Sequence, residues 1–365
     1  MRWSSTRIDH HHRKVTRGVY EKLRVELRHI SDSFIGYFGP ERFVELLGDP
    51  AGLRGVAVLI GDETLSTGSV ELLFRLLKDV LNLEWQVGVV GGSVNEKFRV
   101  PDELEALSNY MGLTAKEVNA LKLASRMTAK VDSVAVQDGY DLYLHVMVFC
   151  TSGEWSVIQV GHKSVLGRLY QWYSGKARER SMVDEPHAMI LAESKSRYSL
   201  DFTNSRNVEL RKCSLSVLEE REAVLRRVQS SYRPAVQRSL AEFLEGLPDN
   251  DNPLMQPVRV RWNVISRLKS SPPESFEELL ITNGVGKETL RFLAICSMTL
   301  YQVVPSLEDR AVLHADRAAM GVNSEQLVYD LREAIRYSKL PANVADERLR
   351  RLDDLMARLF GEKQN

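Results

Sequence analysis

The 365-residue chain has few cysteines, no net charge and no long apolar run, and each shortage narrows what it can do. Its 3 cysteines, Cys150, Cys213 and Cys296, are odd in number and far apart, which excludes a disulfide framework and leaves no pair at zinc-ligand spacing. Free, mostly buried thiols suit a reducing cytoplasm. Lys and Arg total 49 and Asp and Glu total 49, so no overall field draws the chain to DNA or to an anionic membrane. Any nucleic-acid surface must then be a local patch. The densest apolar run, Val146 to Cys150, is too short to cross a bilayer. The basic N-terminal residues have no apolar stretch behind them, as a signal peptide would require. A cytoplasmic protein without a membrane partner is expected. His10-His11-His12 is too short for a tag and unsupported as a metal site.

What is present is ordinary globular material, 44% apolar and 27% charged. Helical periodicity marks Val19 to Tyr37, Val70 to Leu81 with Leu72, Leu73, Leu76 and Leu77 on one face, Asn207 to Gln229, and the last helix through Leu349, Leu352 and Met356. Thr114 with Glu117 makes a capping box. Trp85 to Val90 reads as a buried strand. Leu142–Cys150 and Trp155–Val160 read as a hairpin, Val165–Tyr173 as a helix and His187–Leu191 as a further strand. The turn-rich stretch Gly246 to Pro253 is the best linker. The expected fold is α+β and predominantly helical. It divides into an α+β domain over 1–246, with a small, mainly antiparallel sheet, and an all-helical module over 257–365.

The most informative segment lies in that second part. Ser271-Pro272-Pro273-Glu274 reads as the start of a helix with Phe276, Leu279, Leu280 and Ile281 on its apolar side. Gly284-Val285-Gly286 follows, then a second helix from Lys287 through Thr289 and Leu290. Glycines let backbone come close to a ligand. The N–H groups that open the second helix sit at the positive end of its dipole, where a phosphate fits, and Lys287 adds a full charge. This resembles the helix-hairpin-helix motif, which grips nucleic-acid backbone without reading sequence. The same residues also suit a plain turn between packed helices.

Two basic stretches add to it. Pro257–Ser270 holds Arg259, Arg261, Arg267 and Lys269 and no acid. His162–Arg180 holds Lys163 and Arg168 with Tyr170, Trp172 and Tyr173 interleaved, a mixture that suits phosphate neutralisation beside base stacking. The candidate catalytic residues are Asp138, Asp141, His145, Gln159 and His187. Strand alternation places Asp141, Tyr143 and His145 on one face, where carboxylates and a His suit a divalent metal of the kind hydrolytic nucleases use. A base-excision glycosylase is a further reading. Its lyase form needs a Lys just before Thr289, where this chain has Glu288; Asp309 lies near the position of its acid. Three functions follow: a DNA-binding protein of repair or genome maintenance, with DNA favoured over RNA; a metal-dependent nuclease or glycosylase; or a protein-interaction scaffold.

Taken in order, His11–Leu23, Gly61–Gly68, Gly88–Leu104 with Gly91-Gly92, Asp138–His145, Trp155–Gln159, Arg168–Trp172, Glu185-Pro186-His187 and the Gly284–Gly286 segment resemble an archaeal and bacterial family known as domain of unknown function 763. The resemblance implies nucleic acid through the hairpin and no settled activity. In that family the Gly61–Gly68 segment typically carries a Trp-His pair, where this chain has Thr64-Leu65. A Gly-rich stretch is shortened here to the neighbourhood of His314-Ala315-Asp316. If those groups did chemistry, the departures imply that this member has weakened or lost it.

Overall fold

Apolar residues at Leu23, Leu27, Ile30 and Phe34 build one buried stripe along the first helix, and the same logic of one-sided burial organises the chain. The computed structural model describes residues 15–62, 65–81, 86–179, 181–232, 252–313 and 323–361. Helices α1 (Arg17–Phe38), α2 (Pro40–Gly48), α3 (Pro50–Leu59) and α4 (Thr67–Val80) lead to strand β1 (Val87–Ser93). Next come α5 (Val100–Met111) and α6 (Ala115–Lys130). Thr114 and Glu117 form the expected reciprocal cap at the start of α6. A π-helical turn, Val131–Ala135, runs into β2 (Val136–Gln137). The strands β3 (Asp141–Cys150), β4 (Trp155–Lys163) and β5 (Leu166–Tyr173) follow, then α7 (Ser174–Glu179), β6 (Met189–Ala192) and β7 (Leu200–Asp201). The remaining elements are α8 (Val208–Ser216), α9 (Glu222–Ser231), α10 (Trp262–Ser270), α11 (Phe276–Ile281), α12 (Lys287–Tyr301), β8 (Val312–Leu313), α13 (Ser324–Arg336) and α14 (Ala342–Phe360).

The main sheet has six strands in the order β1-β3-β4-β5-β6-β8, antiparallel except for the parallel β6–β8 pair; β2 and β7 form a separate ladder. The fold is thus α+β and predominantly helical, as expected. Residues alternate between the faces. Val157, Tyr170 and Trp172 enter one core with α5, α6 and α8 to α12. Ile158, Val160 and Leu169 enter a second core with α1 to α4, α13 and α14. His145, Gln159 and Arg168 alternate with residues of the second core and so lie on the first face.

Several expectations change. Val165–Tyr173 is not a helix: β5 occupies it, pairing with β4 and β6. Both its faces are buried, so the apolar alternation that marks a half-exposed strand is missing. The 207–229 helix is two, broken at Glu220 and Arg221, which are extended. Lys269 caps the carbonyls there, donating to Leu218 at 2.7 Å and to Glu220. Helix α11 starts at Phe276, not at Pro272; Ser275 is its cap, accepting from Glu278 N at 3.1 Å. The C-terminal part also supplies a strand, β8. Side chains from both sides of the 246–257 boundary share each core: Leu268, Leu279 and Leu290 belong to the same core as Val157, and Leu331 and Leu352 to the same core as Leu53. His10 to His12, Thr64, Trp85, Arg180, most of the linker and His314 to Asp316 lie outside the described residues.

Candidate nucleic-acid interface and buried polar core

The turn between α11 and α12 begins where Val285 N donates to Thr282 O at 3.2 Å. Gly284 has φ +88°, and a Cβ there would meet Arg267 Nη2 and Val264 Cγ2 at 3.0 Å. Val285 anchors the turn, being 2% exposed. Gly286 differs: its backbone is extended, and a Cβ would meet nothing within 4 Å. It caps α12 without a side chain. The first intrahelical bond is Leu290 N to Gly286 O at 3.1 Å, so the N–H groups of Gly286, Lys287 and Glu288 have no acceptor among the described residues. The turn carbonyls, by contrast, are taken. Arg126 Nη2 donates to Ile281 O at 2.6 Å, Lys130 Nζ to Val285 O at 2.7 Å and Arg267 to Asn283 O. Gln137 Nε2 donates to Lys287 O at 3.0 Å and accepts from Arg291, which fixes α12 to β2. The result is a turn with open donors at the start of α12 and side-chain cations on the Ile281, Asn283 and Val285 carbonyls.

Lys287 pairs with Asp141 at 2.8 Å, and Asp141 is 89% exposed. Arg259, Arg261 and Arg267 are exposed near the turn in sequence; Lys163 is half-buried beside Gly139. Thr289 is buried, so its role is packing within α12.

Arg168 is not a surface cation. It is 1% exposed and bridges two carboxylates, Asp138 at 2.7 Å and Asp309 at 2.6 Å through a two-pronged contact, with the Tyr140 ring 4.3 Å away. Tyr170 Oη donates to Asp138 at 2.6 Å. Burial pushes the Asp138 carboxyl up, and Arg168 opposes that rise. Burial would lower Arg168, but Asp138, Tyr170 and Asp309 more than offset it and hold the guanidinium charged. Tyr170 and Trp172 are fully buried and offer no stacking face. Asp309, near the position expected of a glycosylase acid, is buried in this ion pair.

His145, Gln159 and His187 do converge, but in a second sealed network. Ser125 Oγ lies 2.8 Å from His145 Nε2, and His145 Nδ1 lies 2.9 Å from Gln159 Oε1. Gln159 Nε2 donates to Asp132 on the π-helical turn. Asp132 also accepts from Trp172 Nε1 at 2.8 Å and meets His187 Nε2 at 2.5 Å. Because the Gln159 amide donates to Asp132, its oxygen must accept, which assigns the proton of His145 to Nδ1 and makes Ser125 the donor to Nε2. Burial pushes His145 down to about 4, so it is neutral, and raises Asp132, against the pull of His187 and Trp172.

The expected single catalytic cleft therefore does not form. Asp138, His145, Gln159 and His187 are buried, and Asp141 stands outside with Lys287. A β-bulge between Leu142 and Leu144 is the cause on β3: it inserts Tyr143 and puts it on the same side as Leu144, so His145 faces the other way. Among the described residues, no three His, Cys, Asp or Glu side chains are grouped to hold a metal ion. Asp132, Arg126 and Lys130 were missed. The first sits on an irregular turn and the others on the polar side of a helix, where no spacing rule selects them.

The chain belongs to the family described as protein of unknown function (DUF763), whose model matches residues 5–317. No curated protein and no solved structure matches it.

Proposed function

We propose that this protein binds nucleic acid through its phosphate backbone, without reading sequence, at a helix-hairpin-helix formed by α11, the Thr282–Gly286 turn and α12. The observation that carries this is the turn itself. Its N–H donors at Gly286 to Glu288 are open, cations sit on the Asn283 and Val285 carbonyls, and the space over Gly286 is empty. Phosphate oxygens are acceptors that such a surface suits. Arg259 and Arg261, exposed and close to the turn in sequence, are the further cations assigned to this surface. DNA is the favoured ligand, and repair or genome maintenance the corresponding cellular role. The three cysteines, all free, support a cytoplasmic location, and among the described residues no helix is long and apolar enough to cross a membrane. Metal-dependent hydrolysis and glycosylase chemistry have no open site among these residues.

Gel-shift titration against single-stranded, duplex and branched DNA and against RNA tests this reading. Binding to DNA of unrelated sequences with similar affinity is expected, with Lys287→Ala weakening all of them alike. Absence of binding in every case, or a strong preference for one sequence, would leave the turn as a joint between helices.

A further inference from the structure

Three cations besides Lys287 touch the same turn, from two other helices. Arg126 and Lys130 reach it from α6 and Arg267 from α10, at the carbonyls of Ile281, Val285 and Asn283. Among the described residues none of the three has a carboxylate partner; the acid beside the turn, Asp141, is on Lys287. Arg126 and Arg267 are exposed and Lys130 is half-buried. Burial lowers Lys130, and the like charge of Arg126 lowers it further, with no acid offsetting either. Two cations held side by side in this way are short of an anion.

Their bonds to the turn leave capacity. A guanidinium carries five N–H donors and an ammonium three, and each side chain uses one of them on its carbonyl. Being held already, these side chains lose little rotamer freedom when a ligand arrives. One phosphodiester carries a single negative charge, which Lys287 and the N–H groups of α12 match by themselves. Further cations entering the turn at separate carbonyls exceed what one phosphate needs.

We propose that Arg126, Lys130 and Arg267 form, with Lys287, a cradle for consecutive phosphates of one nucleic-acid strand. This rests on the hairpin reading above and adds binding residues from α6 and α10, so that the site takes a polyanionic strand and not an isolated phosphate.

The test is a fluorescence-anisotropy titration of the full chain with a short labelled DNA strand over a series of salt concentrations. Arg126→Gln, Lys130→Gln and Arg267→Gln each remove a charge and keep a shorter polar side chain with an N–H donor. Each should weaken binding and reduce the slope of log affinity against log salt by about one phosphate contact, roughly 0.7 for a single strand. Arg126→Lys and Lys130→Arg should keep the slope, which separates lost charge from a disturbed turn, and thermal melts followed by circular dichroism check that each variant folds. Inorganic phosphate should compete poorly. If Lys287→Ala flattens the slope and the three Gln variants do not, the cradle is wrong and the hairpin reading stands. If Lys287→Ala also has no effect, both are wrong. Efficient displacement of DNA by inorganic phosphate would overturn the strand specificity.

Discussion

Single residues at the turn separate folding from binding. Gly284 and Gly286 look alike in sequence, yet Gly284 needs its glycine for conformation, while a Cβ at Gly286 would meet only open space, which the proposed phosphate would fill. Gly284→Ala places a Cβ at φ +88° and against Arg267 and Val264. It should destabilise the protein by about 1–2 kcal/mol, read in urea denaturation. Gly286→Ala should leave stability within about 0.5 kcal/mol, since the site is open, and still weaken DNA binding by crowding the phosphate. Equal stability losses in the two variants would contradict the geometry. Asp141, expected in a catalytic cluster, instead stands on the surface paired with Lys287, where on the proposed function it would compete with phosphate. Asp141→Asn should tighten DNA binding, and Lys287→Ala in that background should cancel the gain. His145 gives a pH signature. Its folded value of about 4 lies below the ordinary 6.5, so the unfolded chain takes up a proton first. Its contribution is complete above pH 6.5 and is lost as pH falls from there towards 4. The raised carboxyl of Asp132 works in the opposite sense, and His145→Gln should remove the part of the pH dependence that falls between about 4 and 6.5.

At the scale of elements, sequence was legible where one face is buried and the other wet. The stripe of α1, the leucines of α4 and the cap of α6 all follow from periodicity or capping chemistry. It was illegible where both faces are buried. In β5, Arg168 and Gln171 are polar and fully enclosed, so a strand looked like a basic, aromatic surface helix. The bulge at Tyr143 was equally hidden, since nothing in a run of strand residues announces an extra one. Of the candidate site, the turn was readable because glycine and a helix start leave local marks. Asp132 was not, nor was the ion pair that occupies Asp309, because their partners lie far along the chain at Gln159, His187 and Arg168. The enclosed strand makes a prediction. Trp172→Phe keeps an aromatic ring and removes the donor to Asp132. A stability loss of about 1–3 kcal/mol in urea denaturation, with little change in DNA affinity, is expected. A loss of affinity without a loss of stability would return this network to the functional site.

The whole molecule is tied across its proposed linker. Arg168 from β5 holds Asp309, Arg310 holds Asp201 at 2.6 Å, and Arg348 of α14 meets Glu26 of α1 at 2.6 Å. Both cores draw side chains from both parts. A protease site inserted at 246–251 and then cut should therefore leave two pieces that co-elute on gel filtration and melt together. Separation of a stable, helical C-terminal piece would contradict shared cores. The zero net charge matters at this scale as well, because it removes any general attraction to DNA, so the proposed binding has to come from the patch at the turn. The most direct measurement is then the affinity of the wild-type protein and of Lys287→Ala for one DNA duplex across a range of salt. Log affinity should fall linearly with log salt for the wild type, and Lys287→Ala should bind more weakly with a slope shallower by about 0.9, the loss of one phosphate contact. Affinity independent of salt, or identical lines for the two proteins, would contradict phosphate binding at this turn.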